Sequence, residues 1–273
     1  MTETTGSKTE AAGSFEKGLA GSGGQVADFS HGVHRGPMDR LQHFLHAYPT
    51  MVPVFVLMVG VGTFGAIIGD RFFNAFTLTL IMQQVAIVGI VGIAQTLVIL
   101  TAGIDLSVGA IMVLSSVVMG NLAVTHGMPA PLALFCGLLT GTICGVVNGF
   151  LVALVRLPPF IVTLGTWFIF EAANFIYSQN ATIRAQDVEA SAPLLQFLGN
   201  TFRIGGAVFT YAVVAVVLLV ALFYYILNHT AWGRHVYALG DDPDAARLSG
   251  ISTRRVLISV YAVAGLILSL IHI

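Results

Sequence analysis

The apolar positions of this chain fall in long unbroken blocks, not in the short alternations of half-buried strands. Met51–Gly69 is the first block and ends at Asp70-Arg71. Phe72–Ile104 carries no charge over thirty-three residues and holds the second. Leu106–Val155 runs for fifty uncharged residues and must hold two helices, divided near His126-Gly127-Met128-Pro129, where Gly and Pro mark a turn. Phe160–Tyr177 and Ala207–Leu227 follow, and a seventh block begins near Val256 and runs to Ile273. A helix needs about 20 apolar residues to cross a hydrocarbon core, and it satisfies its own backbone there. A barrel would show short alternating segments instead. The pattern predicts an all-α, polytopic membrane protein with about seven spans, its transmembrane domain covering 49–273.

Two segments precede the spans. Residues 1–36 are rich in Gly, Ser and Thr, lack an apolar run that could serve as a leader, and read as a flexible cytoplasmic tail. Over 37–48, Leu41, Phe44, Leu45 and Tyr48 share one helical face with Arg40 and His43 opposite, which predicts a short amphipathic helix on the membrane surface.

Composition agrees with this picture and narrows it. Hydrophobic residues make up 56% and charged residues 9%, against about 25% charged in a soluble domain. So few charges cannot cover a water-facing surface, which excludes a soluble enzyme. A net charge of −1 excludes a nucleic-acid partner held by bulk field. The distribution says more than the total. With the N-terminus inside, nine Lys and Arg fall on the cytoplasmic side and three (Arg71, Arg184 and Arg203) outside, so the positive-inside rule sets the N-terminus in the cytoplasm. Cys136 and Cys144 would stand about 12 Å apart along one helix, too far for a disulfide. The His31/His34 and His43/His46 pairs lack the further ligands of a metal site, so no metal is expected.

Three segments interrupt the apolar pattern. The first is Gly103-Ile104-Asp105-Leu106-Ser107-Val108-Gly109. A carboxylate in such surroundings is costly, so Asp105 either caps a helix at the cytoplasmic interface or faces a substrate path, with Ser107 able to cap the next helix. The second runs from Asn148-Gly149 to Pro158-Pro159-Phe160-Ile161-Val162-Thr163-Leu164-Gly165-Thr166. Its two prolines end one helix and start another in a tight connection beside Arg156. The third is the polar loop over 229–255, in which Asp242 is an N-cap, Pro243 a first helical residue and Gly250 a stop. A two-turn helix over Pro243–Ser249 follows, with Ala245, Ala246 and Leu248 presented outward.

Taken in order, GIDLSVG, the NG…PPFIVTLGT stretch and GRHVYALG…AARLSGI resemble the permease subunits of bacterial ABC importers for monosaccharides, of the ribose, xylose and fructose type. The similarity covers roughly Thr50 to the end. It implies a multi-pass protein of the bacterial inner membrane that pairs with a second permease copy. The expected partners are two cytoplasmic ATP-binding subunits carrying ATP and Mg, and a periplasmic sugar-binding protein; this chain would bind no cofactor itself. The loop residues Gly233, Arg234, Gly240, Pro243, Ala245, Ala246, Arg247, Leu248 and Gly250 would couple to the ATPase. Such permeases run through about ten spans, so a chain ending at Ser269-Leu270-Ile271-His272-Ile273 reads as a truncated or frameshifted product. Many relatives carry Arg-Gly after LGT, where this chain has Glu171-Ala172 nearby, and the stretches around Asn174 and Arg184 point weakly to the fructose branch.

No G-x-x-x-x-G-K-[ST] loop is present, so this chain is expected to hydrolyse nothing. Sugar hydroxyls need donors and acceptors, which makes Gln83, Gln84, Gln95, Thr96, Asp105, Asn121, Asn148, Glu171 and Asn174 the candidates for the translocation path; interhelical bonding is the competing role for each. The external loop Gln179–Phe202, with Arg184, Asp187 and Glu189, is the candidate docking surface for the binding protein. Two other readings remain: a branched-chain amino-acid permease of the same fold, and an ion-coupled carrier, for which Asp105 and Glu171 lack a cationic partner within the spans.

Overall fold

A computed structural model describes residues 51–69, 74–204 and 207–272; the tail and the interfacial helix expected over 1–48 lie outside the described residues. The chain divides after Ile68. Before that point the structure describes one apolar helix, α1 (Met51–Ile68), long enough to cross a bilayer.

The larger unit begins with α2 (Ala75–Ile99), whose first turn is capped by the Asn74 side chain accepting from Thr77 N at 2.8 Å. α3 (Val108–Val124) and α4 (Ala130–Phe150) flank the expected turn, where Gly127 takes φ +63° and Pro129 sets the entry to α4. A π-helical turn, Leu151–Val155, extends α4 and stops at Arg156, in the left-handed region at φ +62°. Pro158 and Pro159 then open α5 (Pro159–Ser178), as the sequence predicts. After an external segment come α7 (Tyr211–His229), α8 (Ala231–Asp241), α9 (Pro243–Leu248) and α10 (Thr253–Ser269). The external segment itself holds α6 (Ala185–Ser191), a 3-10 turn (Pro193–Gly199) and strands β1 (Thr201–Ile204) and β2 (Ala207–Thr210).

The seven expected spans correspond to α1–α5, α7 and α10. Among the described residues, five helices are both long and apolar enough to span; α3 and α10 are seventeen residues each, a rise of about 25 Å. Large apolar side chains such as Phe168, Ile169 and Ile176 on α5, and Val217 and Tyr224 on α7, point outward. That arrangement suits lipid or another subunit, since in water it would be a continuous apolar patch.

Two elements depart from the sequence reading. The sixth span begins at Tyr211 rather than Ala207, because 207–210 pairs antiparallel with 201–204. Phe202 stands opposite Phe209 with ring centroids 5.8 Å apart, and Phe202 also stacks on Tyr211 at 5.5 Å. Cross-strand aromatic pairing of this kind explains why Ala207, Val208 and Phe209, with Thr210, leave the helical block. The second departure is α8, which occupies the polar loop before the expected short helix.

The core is built on one close contact. Gly137, Gly141, Gly145 and Gly149 lie four apart on α4 and form a ridge without side chains. Gly137 faces Met119 of α3, and against the other three α10 brings its backbone: a Cβ at Gly141 would lie 2.6 Å from the Gly265 carbonyl oxygen, and one at Gly149 would lie 2.9 Å from Ile258 Cα. A Cβ at Gly145 would collide with the Tyr261 carbonyl. Small residues at a helix pair are how membrane helices gain dispersion contact where apolar transfer gives no drive. Around this pair, Leu97 and Val98 of α2, Ile111 of α3, and Val260, Tyr261 and Leu268 of α10 are fully buried together.

Gly145→Ala should therefore lower the thermal midpoint of the detergent-solubilised protein, by about 1–3 kcal/mol of overpacking. Gly165→Ala on α5, where nothing lies within 4 Å, should leave the midpoint unchanged or raised.

Candidate functional site

The first polar centre forms where α2 ends. Leu100, Thr101, Ala102 and Gly103 close the helix through bonds from their N–H groups to Thr96, Val98 and Ile99 carbonyls, and Ala102 takes the left-handed φ of +57°. The chain then turns so that Asp105 is buried, 3% exposed. Its Oδ1 accepts from Ser107 N at 2.8 Å and from Ser107 Oγ at 2.6 Å. Asp105 thus orders the turn that leads into α3, at the residue just before the first helical one. Ser107 does not cap α3 through its own side chain, as the sequence suggests it could: its hydroxyl donates to the carboxylate, and its oxygen accepts from Asn148 rather than from the first-turn N–H groups.

Three further helices reach this turn. Asn148 of α4 donates through Nδ2 to Ser107 Oγ at 2.8 Å. Gln95 of α2 donates to the Asp105 carbonyl at 3.0 Å, and Thr163 of α5 donates to the Ile104 carbonyl at 3.2 Å. Tyr261 of α10 brings its hydroxyl beside Gly103, where a Cβ would lie 3.0 Å from it. Gln95 Oε1, Asn148 Oδ1 and the Tyr261 hydroxyl are buried without a hydrogen-bond partner. Such groups are costly unless something else meets them. Among the described residues no group of three His, Cys, Asp or Glu could hold a metal.

The remaining path candidates sit in different surroundings. Gln83 is half-buried; Gln84 and Thr96 are exposed, and the Thr96 hydroxyl donates to Gly92 O of its own helix at 2.7 Å. Asn121 and Glu171 are half-buried, and Asn121 Oδ1 has no partner. Asn174 belongs to a second centre, a cavity of about 800 Å³ between α3, α5 and the external segment. That segment packs as a cap onto the ends of α3 and α4 through a small core of Met119, Ala123, Ala133, Ala192 and Leu195, while Arg184, Asp187 and Glu189 of the expected docking loop are exposed. The cavity's polar lining includes Asn180, Gln196 and Asn200, which the sequence reading missed. The available signal was the Gln179-Asn180 pair at the end of α5, both left-handed, at φ +52° and +57°.

The third centre is the loop 229–255. Thr230 accepts from Gly233 N at 3.2 Å to start α8, whose Gly233, Val236 and Leu239 form one buried face. Gly233 lies against the Leu227 backbone of α7, its Cβ position 2.5 Å from Leu227 Cα. Gly240 lies against the Leu100 carbonyl at the end of α2, with no room for a Cβ. Trp232 Nε1 donates to Ser259 Oγ of α10 at 2.8 Å. α9 is built as expected: Asp242 Oδ1 accepts from Asp244 N at 2.9 Å and Ala245 N at 3.0 Å, Pro243 is the first helical residue, and Gly250 follows at φ +85°. The outward face differs from expectation. Ala246 is 4% exposed and turned inward, whereas Leu248 is 85% exposed; Ala245, Arg234 and Arg247 are exposed as well. A helix of under two turns must seat one residue against α8 and α10, and the middle alanine is the smallest side chain for that place. Arg247 pairs with Asp244 at 3.5 Å, an exposed contact of small energetic weight.

Ser107→Ala removes the hydroxyl that donates to Asp105 and accepts from Asn148. It should cost about 1–3 kcal/mol, read as a fall in thermal midpoint. Asn148→Ala added to it should cost less than Asn148→Ala alone, since their bond is already gone; strict additivity would sink the network.

A family model described as the permease component of the branched-chain amino acid transport system matches residues 77–268. The chain is 61% identical to the fructose import permease protein FrcC of Rhizobium meliloti over 94% of its own length and 71% of that protein. It is 32% identical to the ribose import permease protein RbsC of Bacillus subtilis (86% of this chain, 67% of the relative) and 33% to RbsC of Escherichia coli K12 (81% and 66%). It therefore spans roughly two thirds of the length of these curated relatives. No solved structure matches it. With the family model matching most of its length, the chain belongs to this family of transport-system permease components and stands there beside sugar import permeases.

Proposed function

We propose that this chain is the membrane-spanning permease subunit of an ATP-driven importer for a monosaccharide of the fructose or ribose kind, in the bacterial inner membrane. The carrying observation is the 61% identity to a fructose import permease over 94% of the chain. The chain is a transport subunit rather than an enzyme. ATP and Mg belong to a separate cytoplasmic subunit, since no phosphate-binding loop occurs in the sequence. A periplasmic binding protein delivers the sugar, and a second permease copy completes the path.

The geometry of the third centre supports a mechanical role. α9 offers a capped, protruding helix whose exposed apolar tip, Leu248, fits a groove on a partner. α9 packs on α8, and α8 is fixed to α7 at Gly233, to α2 at Gly240 and to α10 at Trp232. Closure of the ATPase pair would push α9, and α8 would carry the push to the end of α2. From there the chain leads within five residues to Asp105, where α2, α3, α4 and α5 are tied together. The Asp105 turn is accordingly the inner gate, and its unpartnered oxygens are groups that a passing hydroxyl ligand or water could satisfy.

The branched-chain amino-acid reading rests on the family description alone, and the relatives compared above are sugar permeases. The ion-coupled carrier gains nothing from the structure, because Asp105 is held by Ser107 rather than by a cation.

In the assembled importer, Leu248→Asp should reduce the stimulation of ATP hydrolysis by sugar-loaded binding protein roughly fivefold or more, as loss of one apolar anchor would. The purified subunit should keep its thermal midpoint. Ala246→Asp should instead lower that midpoint, because it buries a carboxylate. Full stimulation with Leu248→Asp would overturn the coupling assignment.

A further inference from the structure

The outer cavity has a chemistry that the inner gate does not explain. Its volume of about 800 Å³ falls within the range of about 300–1,000 Å³ typical of small-molecule sites. None of its lining residues is ionisable. The polar side chains are hydroxyls (Ser116, Ser178 and Thr182) and carboxamides (Asn174, Asn180, Gln196 and Asn200). A carboxamide offers donors and acceptors on one side chain, and a hydroxyl both donates and accepts, which matches a ligand covered in hydroxyls. The ammonium and carboxylate of an amino acid would find no countercharge here. Asn174 Oδ1 is buried and lacks a partner, an acceptor waiting for a donor. Phe175, half exposed beside it, gives an apolar ring for the C–H face of a sugar.

Backbone strain marks the same place. Gln179 and Asn180 are consecutive non-glycine residues in the left-handed region, where the chain leaves α5 to form the cap. Conformations of this kind persist only where the surroundings impose them, and they gather at ligand sites. The cap is seated by close contact as well: a Cβ at Gly120 of α3 would lie 2.9 Å from Ile183 Cδ1.

We propose that this cavity is a vestibule that binds a neutral monosaccharide ring on its way into the permease. The proposal rests on the sugar-importer reading and adds a site to it. Asn174, Asn180 and Asn200 bind hydroxyls, and Phe175 packs against the ring.

The test uses the purified chain in lipid nanodiscs, with D-fructose, D-ribose and leucine as probes in saturation-transfer NMR. Transfer to the sugar C–H protons is expected, with none to leucine. Asn174→Leu and Asn200→Leu should each reduce it roughly tenfold, as loss of one or two hydrogen bonds would. Equal transfer in the wild type and both variants, or equal transfer to leucine, overturns the vestibule. A second measurement does not depend on those variants folding. In a Cys136→Ala, Cys144→Ala background, D-fructose should slow maleimide labelling of Ala181→Cys, and absence of protection overturns the proposal. ATP-driven uptake by the assembled importer separates the two readings. Sugar uptake without protection at that position removes the vestibule and leaves the importer standing. Absence of sugar uptake by the wild-type assembly overturns the importer reading on which the vestibule rests.

Discussion

Everything in the larger unit depends on α10 lying directly on the backbone of α4. Gly141, Gly145 and Gly149 leave a bare strip of backbone on α4, and the Gly265 carbonyl and the Ile258 Cα of α10 lie against it. In lipid no apolar transfer term draws helices together, so packing density and polar contacts must do so. The α4–α10 pair supplies the density. With these two axes fixed, Tyr261 is carried to the end of α2 and Asn148 to the start of α3. The polar centre around Asp105 is then a consequence of the packing, assembled from residues that no local segment could bring together.

That dependence explains what the sequence could and could not tell. The spans were legible because each is an apolar block bounded by charges, prolines or glycines, and α3, α4 and α5 begin and end close to where those signals lie. Asp242-Pro243 and Gly250 announced α9, because capping is a property of neighbouring residues. By contrast, Asn148 and Ser107 are 41 residues apart, and Thr163 and Ile104 are 59 apart. Their meeting is tertiary, so a reading by segments could only name them as separate candidates.

The misreadings have similar causes. Ala207–Thr210 extends an apolar run, and only its pairing with 201–204 removes it from the helix. α8 was hidden because its buried face of Gly233, Val236 and Leu239 lies in a short segment interrupted by Arg234, His235 and Asp241. The inward turn of Ala246 was unreadable because alanines on two sides of a six-residue helix define no apolar stripe. The cavity residues Asn180, Gln196 and Asn200 looked like ordinary loop polarity until the cap brought them over α3 and α5.

The contact of Gly240 with the Leu100 carbonyl has a consequence for timing and fidelity. A joint made through long side chains has play in it: rotamers can flip and absorb a displacement before the far helix responds. A joint of glycine backbone on carbonyl has no such slack. A displacement of α8 toward the end of α2 would meet backbone there, not a side chain that can rotate away. For the coupling role proposed above, such a bearing without backlash would let the two faces of the membrane answer each other in step rather than on average.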